Sequence, residues 1–108
     1  MIYPYFYKDH IQMSFPLYHH NGNFYLLIQR GMSFNIAVEC HNSSNRFISN
    51  EDLCKFEELE LNSDNLKKFL KALGKDSHAD TAENGYLLYN SKLYHINDWR
   101  DVFNIIRN

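Results

Sequence analysis

The sequence predicts an α+β fold: one antiparallel sheet of about five or six strands with two amphipathic helices packed on one face, residues 1–108 forming a single domain. Three observations carry that expectation. Asn21-Gly22 stands between two runs of aromatic and aliphatic residues, the pattern of a hairpin closed by a type I′ turn. Two later segments repeat apolar residues at i, i+3, i+4 and i+7, the stripe of a helix laid on a core. Between them run short stretches that alternate apolar and polar residues, as half-buried strands do.

The first segment, MIYPYFYKDH, puts Tyr3, Tyr5 and Tyr7 on one face if it is extended. Pro4 has no amide to donate, which places such a strand at a sheet edge, and Pro16 suggests an edge for the next strand too. SFPLYHHNGNFYLLIQRG is the hairpin, its second arm running from Phe24 to Gln29. In MSFNIAVEC, Phe34, Ile36 and Val38 alternate with Ser33, Asn35, Ala37 and Glu39, so a third antiparallel strand follows. Beyond the polar HNSSN, RFIS adds a short strand, and Ser49 with Asp52 three residues later reads as the start of a brief helical turn. FEELELN is readable as strand or as the tail of that turn.

Ser63 then caps a helix whose Leu66, Phe69, Leu70 and Leu73 share a face, with Gly74 set to end it and Lys67, Lys68 and Lys71 on the far side. KDSHADTAEN is small and polar and reads as a loop. GYLLYNSKLYHI is a second hairpin turning at Asn90-Ser91. Asn97 caps a last helix in which Trp99, Val102, Phe103 and Ile106 repeat at helical spacing.

Composition narrows the function classes. A 108-residue chain that is 44% hydrophobic can bury its own core without disulfides or a structural metal. Its net charge of -2 lacks the excess of Lys and Arg that phosphate binding requires. Cys40 and Cys54 have neither C-x-x-C spacing nor the density of a disulfide framework, and read as reduced, mostly buried thiols of a cytoplasmic protein. No apolar run approaches membrane-spanning length, and Lys8 and Asp9 stand where a signal peptide would be apolar.

Six histidines invite a search for chemistry. His19 and His20, adjacent in a strand arm, face opposite ways, as do Cys40 and His41. Neither H-E-x-x-H nor a paired-cysteine motif occurs, nor does any glycine-rich phosphate loop, so no metal, no cofactor and no enzymatic activity are expected. Two alternatives stay open: a small metal-independent ribonuclease using a His pair, or a nucleic-acid-binding sheet with stacking tyrosines. The acidic balance stands against both.

Charge is unevenly spread. From Glu51 to Asp64 the chain has six acids against Lys55 alone, and Lys67, Lys68, Lys71 and Lys75 follow without an acid. An acidic surface beside rigid amphipathic rings suits a protein partner with a basic surface. The leading expectation is a small inhibitor, a bacterial immunity protein that binds and neutralises a toxin such as a nuclease, through Tyr3, Tyr5, Tyr7, Glu57, Glu58 and Glu60. The competing expectation for the tyrosines is burial: half or more of the eight pack against the core or each other.

Overall fold

In the computed structural model, which describes residues 15–81 and 85–107, Asn21 and Gly22 take φ of 51° and 81°. Positive φ at both positions defines a type I′ turn, whose twist matches that of the strands it joins. It connects β1 (Leu17–His20) to β2 (Asn23–Gln29). With β3 (Phe34–Glu39), β4 (Ser44–Ser49) and β5 (Glu57–Leu59) they form an antiparallel five-stranded sheet in the order β4-β3-β2-β1-β5. Within FEELELN only Glu57–Leu59 is strand, and it returns to pair with β1 rather than extending the hairpin meander.

Pro16 does not mark an edge. It sits immediately before β1, an interior strand, and its carbonyl accepts the Leu27 amide at 3.0 Å. Proline forfeits only its donor, so a strand-end position whose acceptor alone is needed tolerates it. The edges of this sheet, among the described residues, are β4 and β5, neither of which contains proline.

Alternation divides the sheet into two faces. Leu17, Phe24 and Leu26 point into the main core, while Tyr18, Leu27, Ala37 and Ile48 form a second cluster on the opposite face. That second face is closed by α1 (Asn50–Leu53), a single turn begun by Ser49, whose hydroxyl accepts the Asp52 amide at 3.0 Å. Leu53 and Phe56 pack over Tyr18, Tyr25 and their neighbours. Between β2 and β3, Gly31 lies so close to the Phe34 carbonyl oxygen that a Cβ would collide with backbone. Gly31→Ala is therefore expected to lower stability by about 1–3 kcal/mol in denaturant unfolding, because two backbone segments must separate to admit it.

The main core receives both longer helices, as expected. In α2 (Ser63–Ala72), Leu66, Phe69 and Leu70 are buried; in α3 (Trp99–Ile106), Trp99, Val102, Phe103 and Ile106 are. Phe69 sits at the centre, edge-on to Phe24 at 5.4 Å and to Trp99 at 5.3 Å. The α2 cap lies one residue before the expected one: Asn62, not Ser63, accepts the Asn65 amide at 2.9 Å. The α3 cap lies one residue after it, at Asp98 rather than Asn97. Asp98 wins because Asp101, three residues on, returns its carboxylate to the cap's own backbone, closing a capping box.

The strands do not all join one sheet. β6 (Ala79–Thr81), β7 (Tyr86–Tyr89) and β8 (Lys92–His95) make a separate three-stranded antiparallel sheet, with Asn90 and Ser91 at φ 51° and 65° in the expected turn. Leu87 and Tyr89 enter the same core as α2 and α3, so the hairpin packs on the helices instead of lengthening the large sheet. The expected loop after α2 holds a 3-10 turn (Asp76–His78) and β6. A three-residue strand of Ala, Asp and Thr has no periodicity of its own; its pairing with β7 creates it.

Candidate functional site

The acidic segment predicted from the sequence becomes the β5 edge of the large sheet and its flanks. Glu51, Asp52, Glu57, Glu58, Glu60 and Asp64 are all exposed. Because successive strand residues alternate, Glu57 and Glu58 leave opposite faces. Glu57 lies 3.7 Å from His19, on the helix-covered side, whereas Glu58 accepts the Tyr18 hydroxyl at 3.4 Å on the other. Glu60 follows the end of the strand. The three predicted glutamates therefore do not line one face; they wrap an edge, and a partner approaching in the plane of the sheet meets them together.

The edge is held from the core. Trp99 donates its indole N–H to the Leu59 carbonyl at 2.9 Å, and the Asn65 amide side chain donates to the Glu60 carbonyl at 2.8 Å. Between β5 and the start of α3 lies a shallow cavity of about 150 Å³, lined by Phe15, Leu59 and Trp99 together with Glu58, Glu60 and Asp98. Asp98 is committed to its cap, and the Arg100 guanidinium covers Phe15 at 4.2 Å from the ring centre. Lys55, the only cation of the acidic segment, is 3.5 Å from Asp52. Glu57, Glu58 and Glu60 are all exposed, so the β5 edge presents carboxylates to solvent.

Tyr3, Tyr5 and Tyr7 lie outside the described residues. Of the other tyrosines, Tyr18 and Tyr89 are buried, Tyr25 and Tyr94 half-buried, and Tyr86 is exposed to 40%. The described phenols mostly serve packing. Sequence reasoning missed instead a pair of phenylalanines at the opposite edge: Phe34 and Phe47 stack with centroids 5.6 Å apart and planes within 8°, 51% and 72% exposed.

His10 lies outside the described residues, and the five described histidines all make ring contacts. His20 stacks on Phe56 at 4.3 Å, His19 tilts against Phe24, His41 lies near the same ring, and His78 and His95 meet Tyr89 and Tyr86 edge-on. His19 and His20 do face opposite sides, reaching different clusters. Among the described residues no group of three or more His, Cys, Asp or Glu is placed to hold a metal ion. A groove of about 260 Å³ beside α2 mixes Lys67 and Lys71 with Asp76 and Asp80, which cancel its charge.

The cysteines differ from expectation in one respect. Cys40 is buried but Cys54 is exposed, and both are free. The Cys54 position, just after the one-turn α1, leaves its side chain outside the small cluster that Leu53 and Phe56 close. Burial pushes the Cys40 thiol up to about 12, because the thiolate would lose its hydration. Native protein at pH 8 is expected to take up one equivalent of an alkylating reagent, at Cys54, and unfolded protein two. A raised native value against an ordinary 9.0 also means that the contribution of this thiol to stability is fully present well below pH 9 and is lost between pH 9 and 12, as the unfolded chain alone ionises.

Among the described residues no helix is long and apolar enough to cross a membrane. Comparison of the chain with protein-family models, curated proteins and solved structures found no match to any of them.

Proposed function

We propose that this chain is a protein-binding inhibitor, an immunity protein acting in the cytoplasm, whose β5 edge docks on the basic surface of a toxin. The observation that supports it most is the arrangement of Glu57, Glu58 and Glu60 around a sheet edge fixed to the core by Trp99. Carboxylates held in this way imitate the spaced negative charge of a phosphate chain, and they approach a basic groove under favourable long-range potential. The shallow cavity between β5 and the start of α3 gives the partner a second point of contact beside them. A nuclease groove has the matching chemistry.

The test is co-expression with the product of the adjacent gene, the usual genetic neighbour of an inhibitor being its target. Retention of that product through purification, with loss of its toxicity, is the expected result. Absence of binding, together with RNA cleavage by this chain that disappears on replacing histidines, would overturn the proposal in favour of a ribonuclease.

A further inference from the structure

The β4 edge, on the other side of the sheet, has the geometry of a self-pairing strand. We infer that two copies of this chain associate there, β4 against β4 in antiparallel register about Phe47, to give a continuous ten-stranded sheet. The doubling follows from the five strands of each copy.

The register follows from the hydrogen bonding of β3 with β4. Their partners run from Phe34↔Ser49 to Glu39↔Ser44, and the Asn50 amide donates to the Ser33 carbonyl at 3.0 Å, one step beyond. Bonded pairs alternate along an antiparallel ladder, so Asn35/Ile48 and Ala37/Arg46 are bonded pairs. The backbone groups of Asn45, Phe47 and Ser49 consequently point outward. A two-fold axis at Phe47 sets Phe47 opposite its own copy and Asn45 opposite Ser49, so every one of these outward groups meets a bonded position. Centring on Arg46 would set guanidinium against guanidinium and use fewer of them. Centring on Ile48 sets Phe47 against Ser49 and leaves Asn45 unused.

Side chains favour the same register. Phe47 and its stacked neighbour Phe34 stand at this edge on the face that carries α2 and α3 but beyond their cover, and pairing at Phe47 joins the two stacks into a row of four rings. Arg46 lies on the other face, drawn back to Glu39 of β3, so its charge does not obstruct the seam. Phe34, Phe47 and Met32, the last 98% exposed, present roughly 400 Å² of apolar surface, about half the area per partner of a standard interface before backbone pairing is added. A strand edge with exposed rings is otherwise an aggregation hazard, and β4 contains neither proline nor lysine to discourage pairing. The acidic β5 edges would lie at the two ends of the assembly, both turned outward, which makes the dimer bivalent for any partner bound there.

Sedimentation equilibrium of the full chain over about 10–100 µM tests this, a range suited to an interface of modest area. The expected wild-type mass is twice 12.9 kDa, with Phe47→Lys monomeric and its far-ultraviolet circular dichroism unchanged. Phe47→Pro is the second variant: the amide it removes points outward, so it spares the β3 ladder and removes only the bonds to the second copy. Hydrogen exchange at the Phe47 amide should slow as protein concentration rises. A wild-type monomer throughout the range would overturn the inference. So would a dimer that survives both substitutions, or one lost on Glu57→Lys instead, which would place the contact at β5. None of these outcomes depends on whether β5 binds a toxin.

Discussion

Trp99→Ala is expected to be the most damaging single substitution, lowering stability by about 3–5 kcal/mol in denaturant unfolding, enough to consume much of a small domain's margin. The side chain is 3% exposed, meets Phe69 edge-on and donates to the Leu59 carbonyl, so truncation opens a cavity and orphans an acceptor together. Trp99→Phe separates the two effects: it keeps most of the volume and loses the hydrogen bond, and should cost about 1–3 kcal/mol. Because the bond ties the end of β5 to α3, the Phe variant should also show faster hydrogen exchange in residues 57–60 than the stability loss alone produces. Equal acceleration across the sheet would mean that Trp99 supports the core without positioning the edge.

The second large effect concerns binding. Replacing Glu57, Glu58 and Glu60 together by lysine should leave the fold intact, since all three side chains are exposed, and weaken association with the proposed basic partner by about 3–4 kcal/mol, a factor of several hundred. Glu58→Gln alone should cost far less, about tenfold or under, because an exposed charge at an interface rim contributes modestly. The Tyr18 hydroxyl, which donates to Glu58, can still donate to the amide oxygen that replaces the carboxylate in that variant, so its effect reports charge rather than packing.

Much of the fold was legible because its signals are local. Asn21-Gly22 demands positive φ, and Leu66, Phe69, Leu70 or Trp99, Val102, Phe103, Ile106 leave one helical arrangement that buries them. What was not legible depended on pairing at a distance. β6 exists because Ala79, Asp80 and Thr81 meet Tyr89, Leu88 and Leu87, and the partition into two sheets is decided by packing of Leu87 and Tyr89 on helices. The one-residue displacement of both caps arose where two adjacent residues were each able to cap, and at α3 only the side chain three positions on discriminated between them.

The candidate site was half legible. Six acids against one lysine announced a negative surface, but the placement of Glu57 and Glu58 on opposite faces of an edge strand required the β1–β5 pairing. Phe34 and Phe47 were read as ordinary strand residues. Their exposure depends on pairing at a distance: it is the order β4-β3-β2-β1-β5 that puts β4 at an edge, while the main core is gathered by Leu17, Phe24, Leu26 and Leu59 of the other strands.

In the proposed function negative charge around β5 draws in a basic partner, an attraction read out by the rate of association. Stopped-flow association of this chain with the product of the adjacent gene should slow steeply as sodium chloride rises through the physiological range, while the Glu57, Glu58 and Glu60 lysine variant should associate slowly with little dependence on salt. Equal rates for the two proteins, or a wild-type rate indifferent to salt, would mean that the β5 carboxylates do not steer binding.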